Sequence, residues 1–314
     1  MDDVLVVGET LVDIVLRGDA PADEHPGGSP ANVALGLGRL GRQVSLLSRL
    51  GDDDRGERVR THLAASGVKL APGTLAPGRT STATARLDER GVASYEFELD
   101  WQLPDAVELP PARALHAGSI AAFLAPGGDA VLELVRRAEG GLTVSYDPNA
   151  RPVLMGDARA ARTRVERFVA VADVVKVSDE DLAWLVPGAD PAAVAADWLA
   201  LGPALVVVTR GGEGATGLCA AGRVDVAAPP VDVVDTVGAG DAFMAGLLDA
   251  LAGGSLLGAE QAGSLRAISL QALEAAARRA TRVAGITCAR AGANPPTLAE
   301  LVAAYPDEAG SADA

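Results

Sequence analysis

Short runs of β-branched and apolar residues recur along the chain, separated by longer stretches in which Ala, Leu and Val return every three or four positions. The first pattern fits buried strands, the second amphipathic helices. The runs predict strands over 5–7, 44–48, 115–118, 142–146, 174–177 and 205–209, with helices such as 31–40, 128–138 and 191–201 between them. Strand and helix in alternation predict an α/β fold in which a mostly parallel sheet carries helices on its faces. The last third reads as helices over 239–252 and 264–284 joined by a loop at 253–263, and the tail after Pro306 is expected to fray. No internal repeat or low-complexity linker divides the chain, so a single domain over 1–314 is expected.

One segment breaks this rhythm. From Thr82 the period is two (Thr82, Thr84, Arg86, then Val92, Ser94, Glu96, Glu98), with Asp88-Glu89-Arg90-Gly91 as a turn, which predicts a β-hairpin. Its faces are too polar for a central strand. It is expected to stand off the main sheet, either as a lid over a site or as an edge hairpin without function.

Composition removes several function classes. With 314 residues, 42 acidic and 27 basic, the chain carries a net charge of -15 and is only 3% aromatic. Nucleic-acid binding needs clustered Lys and Arg and stacking rings, so neither nucleic acid nor an anionic membrane is an expected partner. No apolar run approaches the length of a membrane span, Val4 to Val7 is too short for a signal segment, and Cys219 and Cys288 are isolated, so a reduced, cytoplasmic location is expected. His25, His62 and His116 lie far apart and outside any nucleophile or metal motif, which leaves zinc hydrolysis and Ser-His-Asp chemistry without parts. The two lysines, Lys69 and Lys176, belong to no glycine loop, and no G-x-x-x-x-G-K-[ST] occurs, so P-loop and protein-kinase machinery are absent.

Three glycine-rich segments remain. Gly36-Leu37-Gly38-Arg39-Leu40-Gly41 fits G-x-G-x-x-G, but it ends a helical stretch instead of opening one after a strand; Gly41 reads as a helix C-cap and Gly38 as a close-packing position. Asp235-Thr236-Val237-Gly238-Ala239-Gly240-Asp241 follows the β-rich stretch 231–234 and precedes an amphipathic run through Phe243, Leu247 and Leu251. Glycines there can present amides at a helix start to an anion, and Asp241 beside them would take a proton from a nucleophile attacking a phosphate. The plain alternative is an Asp capping its own helix. Arg210-Gly211-Gly212-Glu213-Gly214 ends a buried-strand run where open α/β sheets bind ligands, though an ordinary β-turn predicts the same glycines.

In these segments and over nearly its full length, the chain resembles the ribokinase/PfkB family of carbohydrate kinases. Asp235-Thr236-x-Gly238-Ala239-Gly240-Asp241-x-Phe243 is similar to the C-terminal signature of the family, and Gly27-Gly28-Ser29-Pro30-Ala31-Asn32-Val33-Ala34, followed by Gly41 and Gly51-Asp52-Asp53, to the N-terminal one. The resemblance implies a three-layer α/β/α domain with a small β-sheet lid, formed by about 14–26 and 80–105, which in several relatives also makes a dimer clasp. It implies Asp241 as catalytic base and Gly238, Ala239 and Gly240 as the anion hole for the γ-phosphate. Sugar hydroxyls would meet Asp13, Gly28 and Asn32; a carboxylate and an amide suit a polyol because they pair with hydroxyls that a deoxy analogue lacks. ATP would lie along Thr209, Gly211, Gly212, Gly214 and Thr236. Thr287-Cys288-Ala289-Arg290-Ala291-Gly292-Ala293 with Asp235 resembles a monovalent-cation region, and whether potassium binds is open.

The N-x-x-E element that orders Mg²⁺ in the family is here Ser178-Asp179-Glu180-Asp181, with Ser for Asn and Asp181 for Glu. Either Glu180 or Asp181 could serve the metal, since Mg²⁺ keeps most of its waters. Asp147-Pro148-Asn149-x-Arg151-Pro152 is similar to the fructokinase and 2-keto-3-deoxygluconate kinase branches, with Arg151 facing a phosphate, a substrate carboxylate or solvent. The expectation is an ATP- and Mg²⁺-dependent, fructokinase-like sugar kinase. 2-Keto-3-deoxygluconate kinase, ribokinase and nucleoside kinase are the alternatives within the family, and a catalytically silent sugar-binding regulatory protein the alternative outside it. A nicotinamide dehydrogenase is a distant third.

Overall fold

The structure, a computed structural model, describes residues 2–17, 22–87, 93–104, 107 and 109–311. Among them lie thirteen strands: β1 (Asp2–Val7), β2 (Leu11–Arg17), β3 (Asp23–Gly27), β4 (Val44–Leu47), β5 (Lys69–Leu70), β6 (Thr82–Leu87), β7 (Ala93–Glu98), β8 (Ala112–Gly118), β9 (Thr143–Asp147), β10 (Val174–Ser178), β11 (Leu205–Thr209), β12 (Ala215–Cys219) and β13 (Gly222–Val226). Nine form one sheet in the order β13-β12-β11-β10-β9-β8-β1-β4-β5, parallel from β11 to β5 and closed at one edge by the antiparallel β12 and β13.

Both faces of this sheet are covered, which is why β1 is apolar without alternation. Val4 and Val6 join a core built with the helices Ser29–Arg39, Ala239–Gly253 and Leu270–Cys288, while Leu5 and Val7 join one built with Gly127–Ala138, Ala158–Val169 and Pro191–Leu199. Strand order reverses direction at β1: β8 to β11 run outward on one side, β4 and β5 on the other. Crevices at the carboxyl ends of strands beside such a switch point are where open α/β sheets hold ligands.

Four strands form a second sheet in the order β3-β2-β6-β7. The predicted hairpin is there as β6 and β7, its turn lying outside the described residues. It differs from expectation in one respect: β6 is an inner strand, paired in parallel with β2, and Thr82 is buried. Polar side chains are tolerated because the neighbour supplies the anchor, Val12 and Ile14 of β2 reaching into the main core. This sheet starts at Leu11, ahead of the expected 14, and so contains Asp13.

Two further expectations need correction. The helix read over 264–284 is two, Ala262–Arg266 and Leu270–Cys288, because Ser269 turns extended and caps the second through Ala272 N. The tail does not fray at Pro306: a 3-10 turn, Pro306–Ser311, is held by buried Glu308, which accepts from Arg279 at 2.7 Å and Arg282 at 2.6 Å. No helix among the described residues is long and apolar enough to cross a membrane.

Candidate functional site

The helix Ala239–Gly253 begins at Gly238, which is left-handed at φ 74 and whose missing Cβ would fall 2.6 Å from Ala293 Cβ. Only glycine meets both demands. Ala239 N is engaged with Thr236 O at 3.2 Å, so the first-turn amides that precede the helical ladder are those of Gly240 and Asp241.

Asp241 does not cap its helix. Its carboxylate is buried and accepts from Ser29 Oγ at 2.7 Å and Asn32 Nδ2 at 2.9 Å, both on the helix Ser29–Arg39 more than 200 positions away. Ser29 was not singled out from sequence, although its spacing of three from Asn32 puts both on one helix face. Asn32, expected to meet a sugar, donates from its side-chain amide to Asp241.

Asp13 enters from β2. A side chain on Gly27 would overlap its carboxylate, so the glycine before Gly28 makes its room. Burial pushes Asp13 up to about 6, against the pull of Arg151 and His25 and with a push from Asp241, which places all four in one electrostatic neighbourhood. Gly28 takes φ 100, and a Cβ there would stand 2.6 Å from Glu9 O, so the position calls for glycine on both counts. Glu9 itself was missed by sequence reasoning. It is buried at the end of β1, accepts from Ala121 N at 3.0 Å, and is pushed up to about 7 by burial, although bonds from Ser119 and Ala121 and the charge of Arg151 oppose this.

A raised carboxyl means that the folded state holds the proton more tightly. The Glu9 contribution to stability is therefore fully present below its ordinary 4.5 and lost as pH rises through about 7. The isosteric Glu9→Gln is expected to gain on wild type by up to about 3 kcal/mol between about pH 5 and pH 8. Denaturant unfolding of both proteins checks this; a stability difference that does not move with pH contradicts it.

Lys176 is the main surprise. It belongs to no glycine loop, as read, yet a Cβ on Gly240 would lie 2.9 Å from its Nζ, so a lysine does stand behind the anion turn. It arrives from β10, beside Asp147 at the end of β9, and the two buried groups pair at 2.8 Å. Burial pulls Lys176 down, but Asp147, with Asp181 and Asp241, outweighs it and holds the ammonium charged. Burial pushes Asp147 up to about 6 despite Lys176.

Of the two metal candidates, Asp181 faces this cluster: its Oδ1 accepts from Ala150 N at 3.0 Å, and its charge is felt by Asp147 and Lys176. Glu180 is exposed. Among the described residues no group of three His, Cys, Asp or Glu converges as a metal cage. Arg151 is exposed and folds over its own turn, donating to Asn149 Oδ1 at 2.8 Å.

Thr209 closes β11, donating to Val177 O at 3.5 Å, and is followed by the 3-10 turn Gly211–Glu213. Gly211 at φ 48 and Gly214 at φ 99 need left-handed backbone, and Gly212 borders open space. Thr236 is exposed beside Asp235, whose carboxylate accepts from Val237 N at 3.0 Å and Gly292 N at 2.8 Å and is held below its ordinary range by these bonds. Asp235 thus ties the 287–293 loop to the anion turn.

Comparison with known proteins points to one family. The model of the pfkB family carbohydrate kinases matches residues 1–300. A fructokinase of Rhizobium leguminosarum bv. trifolii is 37% identical over 273 residues, covering 83% of each chain. Among solved structures, a fructokinase from Xylella fastidiosa with bound ATP superposes with a TM-score of 0.81 at 26% identity over 98% of both chains. A double-mutant fructokinase from Vibrio cholerae, in fructose, ADP and potassium ion bound form, does so with 0.78 at 28% identity, over 96% of this chain and 98% of that one.

Proposed function

The chain belongs to the pfkB family of carbohydrate kinases, and from that membership we propose how its residues carry a phosphoryl group from ATP to a sugar hydroxyl, with fructose as the acceptor. An ATP-dependent sugar kinase is what the family and the relatives support. The observation that carries the residue assignment is the grip on Asp241: a buried carboxylate held by Ser29 and Asn32 at the mouth of a glycine turn is oriented for something other than its own helix. That role is general base. Asp241 takes the proton of the attacking hydroxyl, and its two partners fix which lone pair faces the sugar.

Asp13 and the backbone at Gly28 meet further sugar hydroxyls. ATP lies along Thr209, Gly211, Gly212, Gly214 and Thr236, its γ-phosphate against the amides of Gly240 and Asp241. Lys176 supplies fixed positive charge beneath that phosphate, so the transferred group meets a cation without leaving the anion turn. Asp147 and Asp181 against one lysine leave a net negative charge, the donor set that a largely hydrated Mg²⁺ accepts. When bound, Mg²⁺ would neutralise phosphate charge; Asp181 is the better placed residue and Glu180 the poorer. Asp235 and the 287–293 loop are the place for a monovalent cation.

The second sheet serves as a lid, since its Asp13-bearing face turns toward the site. Its outer strand β7 exposes Tyr95, stacked on Phe97 at 6.2 Å, an apolar face that a second copy would cover in a lid-to-lid homodimer. Sedimentation velocity tests that pairing, and a monomer throughout the micromolar range removes it. Action in the cytoplasm fits ATP as donor and two free cysteines, and cell fractionation would check it.

The acceptor is tested by steady-state turnover with ATP and a panel of fructose, ribose, 2-keto-3-deoxygluconate and adenosine. Fructose is expected to give the highest kcat/KM. A higher value on another member moves the protein to that branch, and sugar binding with no ADP formed from any of them would favour a silent regulatory protein.

A further inference from the structure

The register of the lid fixes what stands beside Asp13. In the antiparallel pair β2 and β3, Asp13 lies directly opposite His25, and across β6 and β7 the same row continues through Ala83 and Phe97. Directly opposed residues project from one face with Cβ atoms about 5 Å apart. The face is identified by its neighbours. Glu24, next along β3, turns the other way and is bound by Arg55 and Arg58 of the helix Asp54–Ala64. That clamp sets the rotation of β3 about its axis and leaves His25 on the side of Asp13, within electrostatic reach of its carboxyl.

The ring is poised as well as placed. His25 Nε2 lies 2.8 Å from Asp23 Oδ1, two positions back on the same face, and Asp23 has Arg17 at 3.8 Å on its other side. An ionised carboxylate only accepts, so Nε2 carries the proton. In the neutral ring Nδ1 is then an acceptor. His25 is not packed into the core, its side chain being 63% exposed, so burial does not account for a ring held at this place.

We infer that His25 is a specificity-determining residue of the sugar site: its Nδ1 accepts a hydrogen bond from a substrate hydroxyl next to the one that Asp13 binds, so that the lid selects a polyol with neighbouring hydroxyls over its deoxy analogue. The inference rests on the reading above that Asp13 faces a sugar. The charged groups that face the ring are Asp23 on its own strand and Asp13 and Arg17 on β2, while Arg151 and Asp241 act on the same Asp13 carboxyl. None of them offers a second neutral acceptor at this edge, which is the particular contribution of the imidazole.

Calorimetric titration of fructose into wild type, His25→Leu and His25→Asn tests this. The leucine variant is expected to bind fructose about three- to tenfold more weakly, the range of one neutral hydrogen bond. The asparagine variant, whose side-chain oxygen can accept in place of Nδ1, should recover most of the loss. In both, KM for ATP and the melting temperature should match wild type. Equal fructose binding by wild type and His25→Leu overturns the inference, as does equal weakening in both variants. Turnover followed in parallel keeps the two readings apart: an active wild type with unaltered fructose binding in His25→Leu removes His25 alone, whereas weakened binding in that variant with an inactive wild type removes the kinase reading alone. No fructose binding by the wild type removes both.

Discussion

Asp241→Asn is expected to cut turnover by about a hundredfold or more while sugar binding changes little. The substitution removes the basic oxygen but keeps the shape. Ser29 Oγ can still donate to the remaining oxygen, and Asn32, which now donates to Oδ2 at 2.9 Å, can rotate its amide to present its own oxygen to the new NH₂ group. The loss should therefore appear in kcat and not in the calorimetric affinity for sugar. Turnover near wild type would show that the buried carboxylate at the helix start is structural. A parallel fall in affinity would instead mean that Asp241 holds ground-state substrate.

Lys176→Met is expected to destabilise the fold by about 3 to 5 kcal/mol, the cost of leaving a buried carboxylate without its counter-ion. Asp147, pushed up by burial even with Lys176 at 2.8 Å, would lose its main compensation while still facing Asp181 and Asp241. The double variant Lys176→Met/Asp147→Asn removes both charges and should recover most of that stability, because replacing a whole buried pair is often close to neutral. It should not recover turnover, since the anion turn still lacks its cation. Denaturant unfolding of the single and double variants measures the first effect and steady-state kinetics the second. A single variant about as stable as wild type would mean that water or another cation reaches Asp147.

Much of the molecule was legible before its structure because the α/β signal is strong. Strand runs such as 205–209 are apolar on both faces of a covered parallel sheet, so hydrophobicity alone marks them. The two signature segments are also contiguous runs recognisable as sequence, though the contacts that fix their glycines, Gly238 on Ala293 and Gly27 beside Asp13, come only with the fold. Contacts between distant segments could not be read in this way. Ser29 is an ordinary hydroxyl in a glycine-rich run until the helix at 239 brings Asp241 to it. Lys176 lies in an apolar strand, and only the fold shows that its ammonium pairs with Asp147 of β9 and stands behind the turn at Gly240. Glu9 follows a buried strand with no motif around it.

The same limit explains the misplaced elements. β6 looked too polar for an inner strand because its own period-two pattern does not show that Val12 and Ile14 of the neighbouring β2 anchor the sheet in the main core. The break at Ser269 was hidden within an uninterrupted helical period. The tail seemed free because Arg279 and Arg282, which grip Glu308, sit more than 25 positions earlier.

The electrostatics also change meaning with the fold. A net charge of -15 argues against polyanionic partners in general, yet in the proposed site a phosphate would meet backbone amides, a helix start and one buried lysine. Phosphate binding therefore depends on a few fixed groups, and the surface charge is nearly irrelevant to it.

Transfer of the γ-phosphate to a sugar hydroxyl is tested most directly by ³¹P nuclear magnetic resonance of ATP, Mg²⁺, fructose and the protein. ATP signals are expected to give way to ADP and a phosphomonoester in equal amounts, only when sugar is present, and Asp241→Asn to suppress both. ATP that stays intact with every sugar of the panel, or that yields inorganic phosphate without a sugar phosphate, would contradict it.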